Sequence, residues 1–212
     1  MEKDQKLAIF GTGGFSREIL CLVVDLWSQT GIDFRQKACF VEQDKIWEEK
    51  FINDIPVIPE SRFDPEKYLA IIGTGDPGVR RRIAEQLPKS TRFATVIHPG
   101  AVVSQWAEIG EGSVICAGTI ITCNLKIGKH AHLNLHTTVG HDCNIGDYFT
   151  SAPAANISGI CTFGDNVYLG TNCSIRQGVS ICSDVTIGMG AVVVKNITEP
   201  GVYVGNPLTK LR

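Results

Sequence analysis

No stretch of this chain approaches the roughly 20 apolar residues that a membrane-spanning helix needs. The longest, Ile19 to Trp27, is broken by Asp25. Strong charge of either sign is also missing. Twenty Lys and Arg against 22 Asp and Glu leave a formal charge of -2, so no global field draws the chain to nucleic acid or anionic lipid. The opening residues are charged, and the apolar run after them, Leu7 to Phe10, is too short for a secretory signal, so a cytoplasmic location is expected. None of the eight cysteines forms a CxxC pair, and a reducing compartment keeps them as thiols. Neither disulfides nor a metal are expected. What is present is an ordinary globular composition, 43% hydrophobic and 20% charged over 212 residues, enough for one large domain or two modest ones.

The two halves follow different periods. In residues 1–96 strand and helix patterns alternate. Leu7–Phe10 reads as a buried strand, followed by the turn Gly11-Thr12-Gly13-Gly14 and a helix over Phe15–Trp27 with Ile19, Leu22, Val23 and Leu26 at helical spacing. Ala38–Val41 and Tyr68–Ile72 read as further strands, Val79–Leu87 as a second helix and Phe93–Ile97 as a last strand. This alternation predicts a small Rossmann-like α/β domain with an open parallel sheet.

From residue 97 to 212 the period is six. One frame runs Val103, Ile109, Ile115, Ile121, Ile127, Leu133, Val139, Ile145, then Ser151, then Ile157, Phe163, Leu169, Ile175, Ile181, Ile187, Val193. Only Ser151 is not a large apolar residue. Two positions earlier sits mostly a compact side chain, Cys143, Cys161 and Cys173 among them, and glycine often follows directly, where it is expected to permit turns other residues resist. A period of six fits neither a helix nor an alternating strand. It fits hexapeptide repeats of a parallel β-helix, three to a coil of about 18 residues. Each large apolar side chain buried inside contributes roughly 1.5–3 kcal/mol, so the column outweighs local preferences.

Four of the five histidines, His130, His132, His136 and His141, lie in the repeats. Their spacing matches no zinc pattern, and three of them are expected along solvated coil edges. His141 stands two residues after an inward one, so it falls at a coil turn, with Asp142 beside it to orient the ring. One coil on, Gly159 lies over it. From spacing alone, a histidine here either caps a turn or acts as a base. The Gly11–Ser16 loop also has two readings: an imperfect dinucleotide fingerprint, or a phosphate cradle at a helix N-terminus.

The hexapeptide frame, His141-Asp142 and the closing Gly201-Val202-Tyr203-Val204-Gly205-Asn206-Pro207 resemble the hexapeptide acyltransferases, whose β-helix is left-handed. With Gly11-Thr12-Gly13-Gly14 added, nearly the whole chain resembles the nucleotide-sugar acetyltransferases of the bacillosamine and perosamine type, a group that includes sialic acid O-acetyltransferases. The resemblance implies an acetyl-CoA-dependent N-acetyltransferase acting on a nucleotide-linked 4-amino sugar for surface glycans, or alternatively sugar O-acetylation. It implies His141 as general base tuned by Asp142, and a homotrimer holding acetyl-CoA between neighbouring β-helices at Thr150, Gly159, Thr171, Gly188 and Met189. The Gly159 N–H is placed to hold the oxyanion. The sugar nucleotide is implied at Gly13, Gly14, Phe15 and Ser16, with Glu42 and Gln43 near the base and Gly73 and Thr74 in a third loop. Some relatives carry histidine where this chain has Phe15 and Thr150. A nicotinamide-dependent enzyme is disfavoured by the small first domain, which lacks an acid at the usual ribose spacing. A catalytically silent scaffold is the other contrasting class.

Overall fold

The computed structural model describes residues 6–28 and 30–211, so Met1–Gln5 of the charged opening lie outside the described residues. The first half is built from β1 (Lys6–Phe10), α1 (Gly14–Ser28), α2 (Phe34–Lys37), β2 (Ala38–Glu42), β3 (Phe51–Ile52), β4 (Ile55–Pro59), β5 (Tyr68–Ile72) and α3 (Pro77–Gln86). Their sheet has the order β3-β4-β2-β1-β5, parallel except for the β3–β4 hairpin. β1 is an interior strand between β2 and β5, buried from Leu7 onward. The hairpin is absent from the sequence reading. It turns on Asn53 and Asp54, both at positive φ, which suits the short polar side chains of a two-residue turn. The expected last strand, Phe93–Ile97, is divided. Phe93 bridges Ala70 at the edge of this sheet, whereas Val96–Ile97 pairs with Val114–Ile115 in the next domain's first coil.

The second half is a left-handed parallel β-helix. Every coil-to-coil pairing in its body is offset by 18 residues, as in Thr138↔Asn156 and Asn144↔Thr162. The prism's first face contains His132–Leu133, Thr150–Ser151 and Tyr168–Leu169; the second Ile120–Ile121, Thr138–Val139 and Asn156–Ile157; the third Leu125–Ile127, Asn144–Ile145 and Thr162–Phe163. The six-residue column fills the interior, with Ile115 through Val193 buried. At the one lapse, Ser151 is fully buried and its hydroxyl meets that of Thr137 at 2.8 Å. Phe149 takes the compact slot of the same coil and packs edge-on to Phe163, so volume moves two residues along and the core stays filled.

The glycines after the inward residues serve a different purpose from the one expected. They have no positive φ. A Cβ on Gly128 would lie 2.6 Å from the carbonyl carbon of Gly146, and one on Gly110 would lie 2.5 Å from that of Gly128. Close stacking of coils selects them. The left-handed residue of each corner comes three places after the inward one, and is mostly Asn, Asp, His or Gly, as at Asn124, Asp142, Asn172 and Gly190.

The first domain seats on the first face. Val96, Val114 and Cys116 of the β-helix join the core made by Leu7, Ile19, Leu22, Val23 and Trp27. α1 therefore lies along the prism and presents its N-terminal turn beside Thr150.

Candidate active site

His141 and Asp142 occupy the edge between the second and third faces, each about half exposed. Asp142 is left-handed (φ 58°), its N–H held by the Cys123 carbonyl of the coil below. Its carboxylate meets His141 Nδ1 at 2.7 Å. A carboxylate only accepts, so the ring proton sits on Nδ1 and the Nε2 lone pair faces outward when the ring is neutral. Gly159 closes over it. A Cβ there would lie 2.7 Å from Nε2 and 2.8 Å from Cε1, so only glycine leaves that nitrogen open. Gly159→Ala is accordingly expected to keep the fold, because its φ is ordinary and the imidazole can swing outward. Displacing the ring by about 1 Å or more should cost roughly 10²-fold in turnover with the thermal midpoint little changed. Steady-state rates and a melting curve check this.

Of the clefts that border the first domain, two are lined by anticipated site residues. One of about 320 Å³ opens at the C-terminal ends of β1 and β2, lined by Gly11, Thr12, Glu42, Gln43 and Thr74, and across from them by Ile46, Glu60, Val79, Ile83 and Gln86. This is the switch point of the sheet, where β1 is flanked by β2 and β5, the position at which open α/β sheets bind ligands. Glu42 is tied down there: Thr12 Oγ1 donates to it at 2.8 Å and the Lys50 ammonium sits 2.8 Å from its other oxygen. The bond to Lys50, with that from Thr12, holds its carboxyl below the usual range. Glu42 thus stands at the strand end where a ribose acid belongs, although the spacing in sequence did not mark it. The second cleft, about 230 Å³, runs from Phe15 and Glu18 on α1 past Gly75 to His132, Asn134, Thr150, Tyr168 and Thr171 of the β-helix. Gly13 and Gly14, exposed with open space before them, form the α1 N-terminus between the two.

Residues 6–87 match the family model of the PglD N-terminal domain, and residues 107–123 and 162–195 match the hexapeptide repeat of succinyl-transferase. A GDP-perosamine N-acetyltransferase of Escherichia coli is 32% identical over 176 residues, which cover 81% of this chain and 78% of that protein. The chain belongs to the hexapeptide-repeat nucleotide-sugar acetyltransferases. Among solved structures, the acetyltransferase domain of PglB from Neisseria gonorrhoeae in complex with acetyl coenzyme A superposes with a TM-score of 0.88 at 29% identity, covering 98% of this chain and 100% of that one. PerB from Caulobacter crescentus, in complex with CoA and GDP-perosamine, gives 0.84 at 25% identity over 98% and 97%.

Within one chain this acyltransferase does not bring all the anticipated residues together. His141 and Gly159 share one prism edge, while Thr171, Gly188 and Met189 lie on the edge between the first and second faces, at the far side of the second face. Phe15, Thr150 and Thr171 do converge, in the smaller cleft. Three anticipated ligand contacts, Ser16, Gly73 and Thr150, are engaged within the chain. The Ser16 hydroxyl is buried and donates to the Gly73 carbonyl at 3.0 Å, and a Cβ on Gly73 would lie 2.8 Å from Ser16 Cα. These two residues press the loops together and do not offer side chains to a ligand. The Thr150 hydroxyl donates to the Gly75 carbonyl at 3.1 Å and accepts from Arg80 at 2.8 Å, so it too is committed within the chain.

Arg80 is the residue most plainly missed. Asp76 caps α3 through the Val79 N–H at 2.7 Å, Pro77 opens the helix, and Arg80 leaves its first turn fully buried. The guanidinium donates to the carbonyls of His130 (2.8 Å), Thr74 (2.8 Å), Tyr148 (2.9 Å) and Phe149 (3.1 Å), and to His132 Nδ1 (3.1 Å). Burial lowers it to about 9, opposed by the Asp76 carboxylate, which leaves it cationic at neutral pH. His130 and His132, expected on solvated edges, lie buried under the first domain; His136 is exposed. Burial, then Arg80, pushes His130 down to about 4 and His132 well below its usual value, so both rings are neutral. Among the described residues, no three His, Cys, Asp or Glu side chains gather as a metal site would require. Cys143 is buried beneath the His141 turn, its thiol donating to the Ser158 carbonyl at 3.3 Å, and Cys161 is buried one coil on.

Proposed function

We propose that the chain is a cytoplasmic, acetyl-CoA-dependent N-acetyltransferase acting on a nucleotide-linked 4-amino sugar in surface glycan biosynthesis. His141 acts as the general base. The observation that carries this reading is the His141–Asp142 pair on an open coil edge, its Nε2 kept clear by Gly159. The nucleotide is taken to occupy the larger cleft, beside Glu42, Gln43 and Thr74, with its diphosphate at the Gly13–Gly14 amides of α1 and its sugar reaching the smaller cleft. Nε2 takes a proton from the amine as the nitrogen bonds to the acetyl carbon. The carbon–sulfur bond then breaks and the proton passes to the leaving thiolate. The Gly159 N–H has no protein acceptor among the described residues, which supports its role as donor to the oxyanion. Cys143 and Cys161 are packing residues in this direct transfer.

A homotrimer completes the site by setting the His141 edge of one copy against the Thr171–Met189 edge of another, with acetyl-CoA between. The outward second face supports this. Val102 is 63% and Ile120 44% exposed there, and Ile160 and Met189 (78% exposed) stand at its two edges, an apolar surface a second copy would cover. The test is a panel of UDP-, dTDP- and GDP-linked 4-amino-4,6-dideoxy sugars, with sialic acid alongside, monitored for free CoA. Release with one amino sugar is expected. Release with sialic acid alone would replace this reading with O-acetylation, and release with none would remove it.

A further inference from the structure

The smaller cleft contains one acidic side chain, and nothing in the mechanism above uses it. Glu18 follows Phe15 by three residues on α1, so the two share one side of the helix and both line this cleft with Thr150; Glu18 also borders a neighbouring cleft with Cys21, His98 and Cys116. Glu18 is exposed and makes no ion pair or side-chain hydrogen bond among the described residues. Arg80, which bonds Thr150 on this cleft's wall, spends its N–H groups on carbonyls, His132 and Thr150 and donates none to Glu18. The Glu18 carboxylate therefore stands at the cleft with no hydrogen-bonding or ion-pair partner of its own.

The two clefts share their loops. Gly11 and Thr12 line the larger one and Phe15 the smaller, while Thr74 lines the larger and Gly75 the smaller. A nucleotide seated in the first, with phosphates at the helix N-terminus between, extends its sugar into the second. We infer that Glu18 receives the protonated amino group of the acceptor sugar and makes this site selective for an amine over a hydroxyl. The inference rests on the reading under Proposed function and adds its selectivity. A sugar amine is cationic near neutral pH and a hydroxyl is not, so a free carboxylate in a partly enclosed cleft discriminates between otherwise matching sugars. It also repels a sugar that carries a carboxylate of its own. Glu18 is a specificity residue and not the base: it holds the ammonium form as the sugar binds, one proton is lost to solvent to free the nitrogen lone pair, and His141 takes the second as the nitrogen bonds to the acetyl carbon.

The experiment uses the full chain, wild type and Glu18→Gln, with the UDP-, dTDP- and GDP-linked 4-amino-4,6-dideoxy sugars and their 4-hydroxy counterparts. KM is measured for each amino sugar and the inhibition constant for each 4-hydroxy sugar. In Glu18→Gln, KM for the turned-over amino sugar should rise roughly 10- to 100-fold, the range for losing a hydrogen bond between charged partners. The inhibition constant of its 4-hydroxy counterpart, KM for acetyl-CoA and the thermal midpoint should stay where they are. Equal weakening of both sugars would assign Glu18 a general structural role and overturn the inference, as would an unchanged preference for the amine. Wild-type turnover with no amino sugar would instead remove the proposed function, and this inference with it.

Discussion

His141→Asn is expected to lower kcat by about 10²–10⁴-fold, the usual contribution of a positioned general base, with the fold intact. The side chain is half exposed at a corner, so its loss opens no cavity, and the stability change should remain within about 0.5 kcal/mol. Asparagine can still face the Asp142 carboxylate but cannot take up a proton, which separates the chemistry from mere occupancy. The loss should appear in kcat and kcat/KM together, because the proton is transferred only in the transition state. If His141 served only to fill the turn, Asn would be a good substitute, because the same slot, two places after the inward residue, carries Cys123, Asp165, Thr171 and Gln177 at other corners. Full activity of this variant, read as free CoA release from acetyl-CoA, would therefore leave the chain without its proposed base.

The β-helix was legible because its code is strictly local. One inward residue every six, with coils offset by 18, places His141 under Gly159 by arithmetic, and the packing agrees, since a Cβ on Gly159 would fall 2.7 Å from the His141 Nε2. The same arithmetic misjudged the glycines. Their role depends on how closely one coil's backbone lies on the next, a distance no single repeat reveals. The α/β half was legible as strands and helices wherever hydrophobic runs were long. It failed at Phe51–Pro59, where two short strands flank a polar turn and prolines interrupt the second, and so Ile46 and Glu60 went unplaced in the larger cleft. Arg80 and Glu18 were invisible for a different reason. On a helix surface each reads as a solvated charge, and only the docking of that helix onto the β-helix buries one and aims the other into a cleft.

That docking supplies the second large effect, Arg80→Ala. The guanidinium ties the Thr74–Gly75 loop of the first domain to carbonyls of two successive coils, at His130 and at Tyr148–Phe149. No carboxylate hydrogen-bonds to it, so its favourable energy comes from filling every donor, and the cost of its burial is already met by those contacts. Removing it leaves the acceptors behind. Backbone carbonyls cannot be mutated away, and those of His130, Thr74 and Tyr148 lose their donor at once in a buried interface, while Phe149 keeps only the His132 N–H. The expected loss is about 3–5 kcal/mol, a fall in the melting midpoint of roughly 10 °C or more. Arg80→Lys keeps the charge but has three donors on a point ammonium in place of a planar fork, so an intermediate loss is expected. In that milder variant the Thr74 loop should be looser, raising KM for the sugar nucleotide more than KM for acetyl-CoA, since of the anticipated acetyl-CoA contacts Thr150 bonds Arg80 while Gly159, Thr171, Gly188 and Met189 do not. An Arg80→Ala protein that melts with the wild type would show that the domains are held by the apolar seam of Val96, Val114 and α1 alone. The buried cation would then be a passenger.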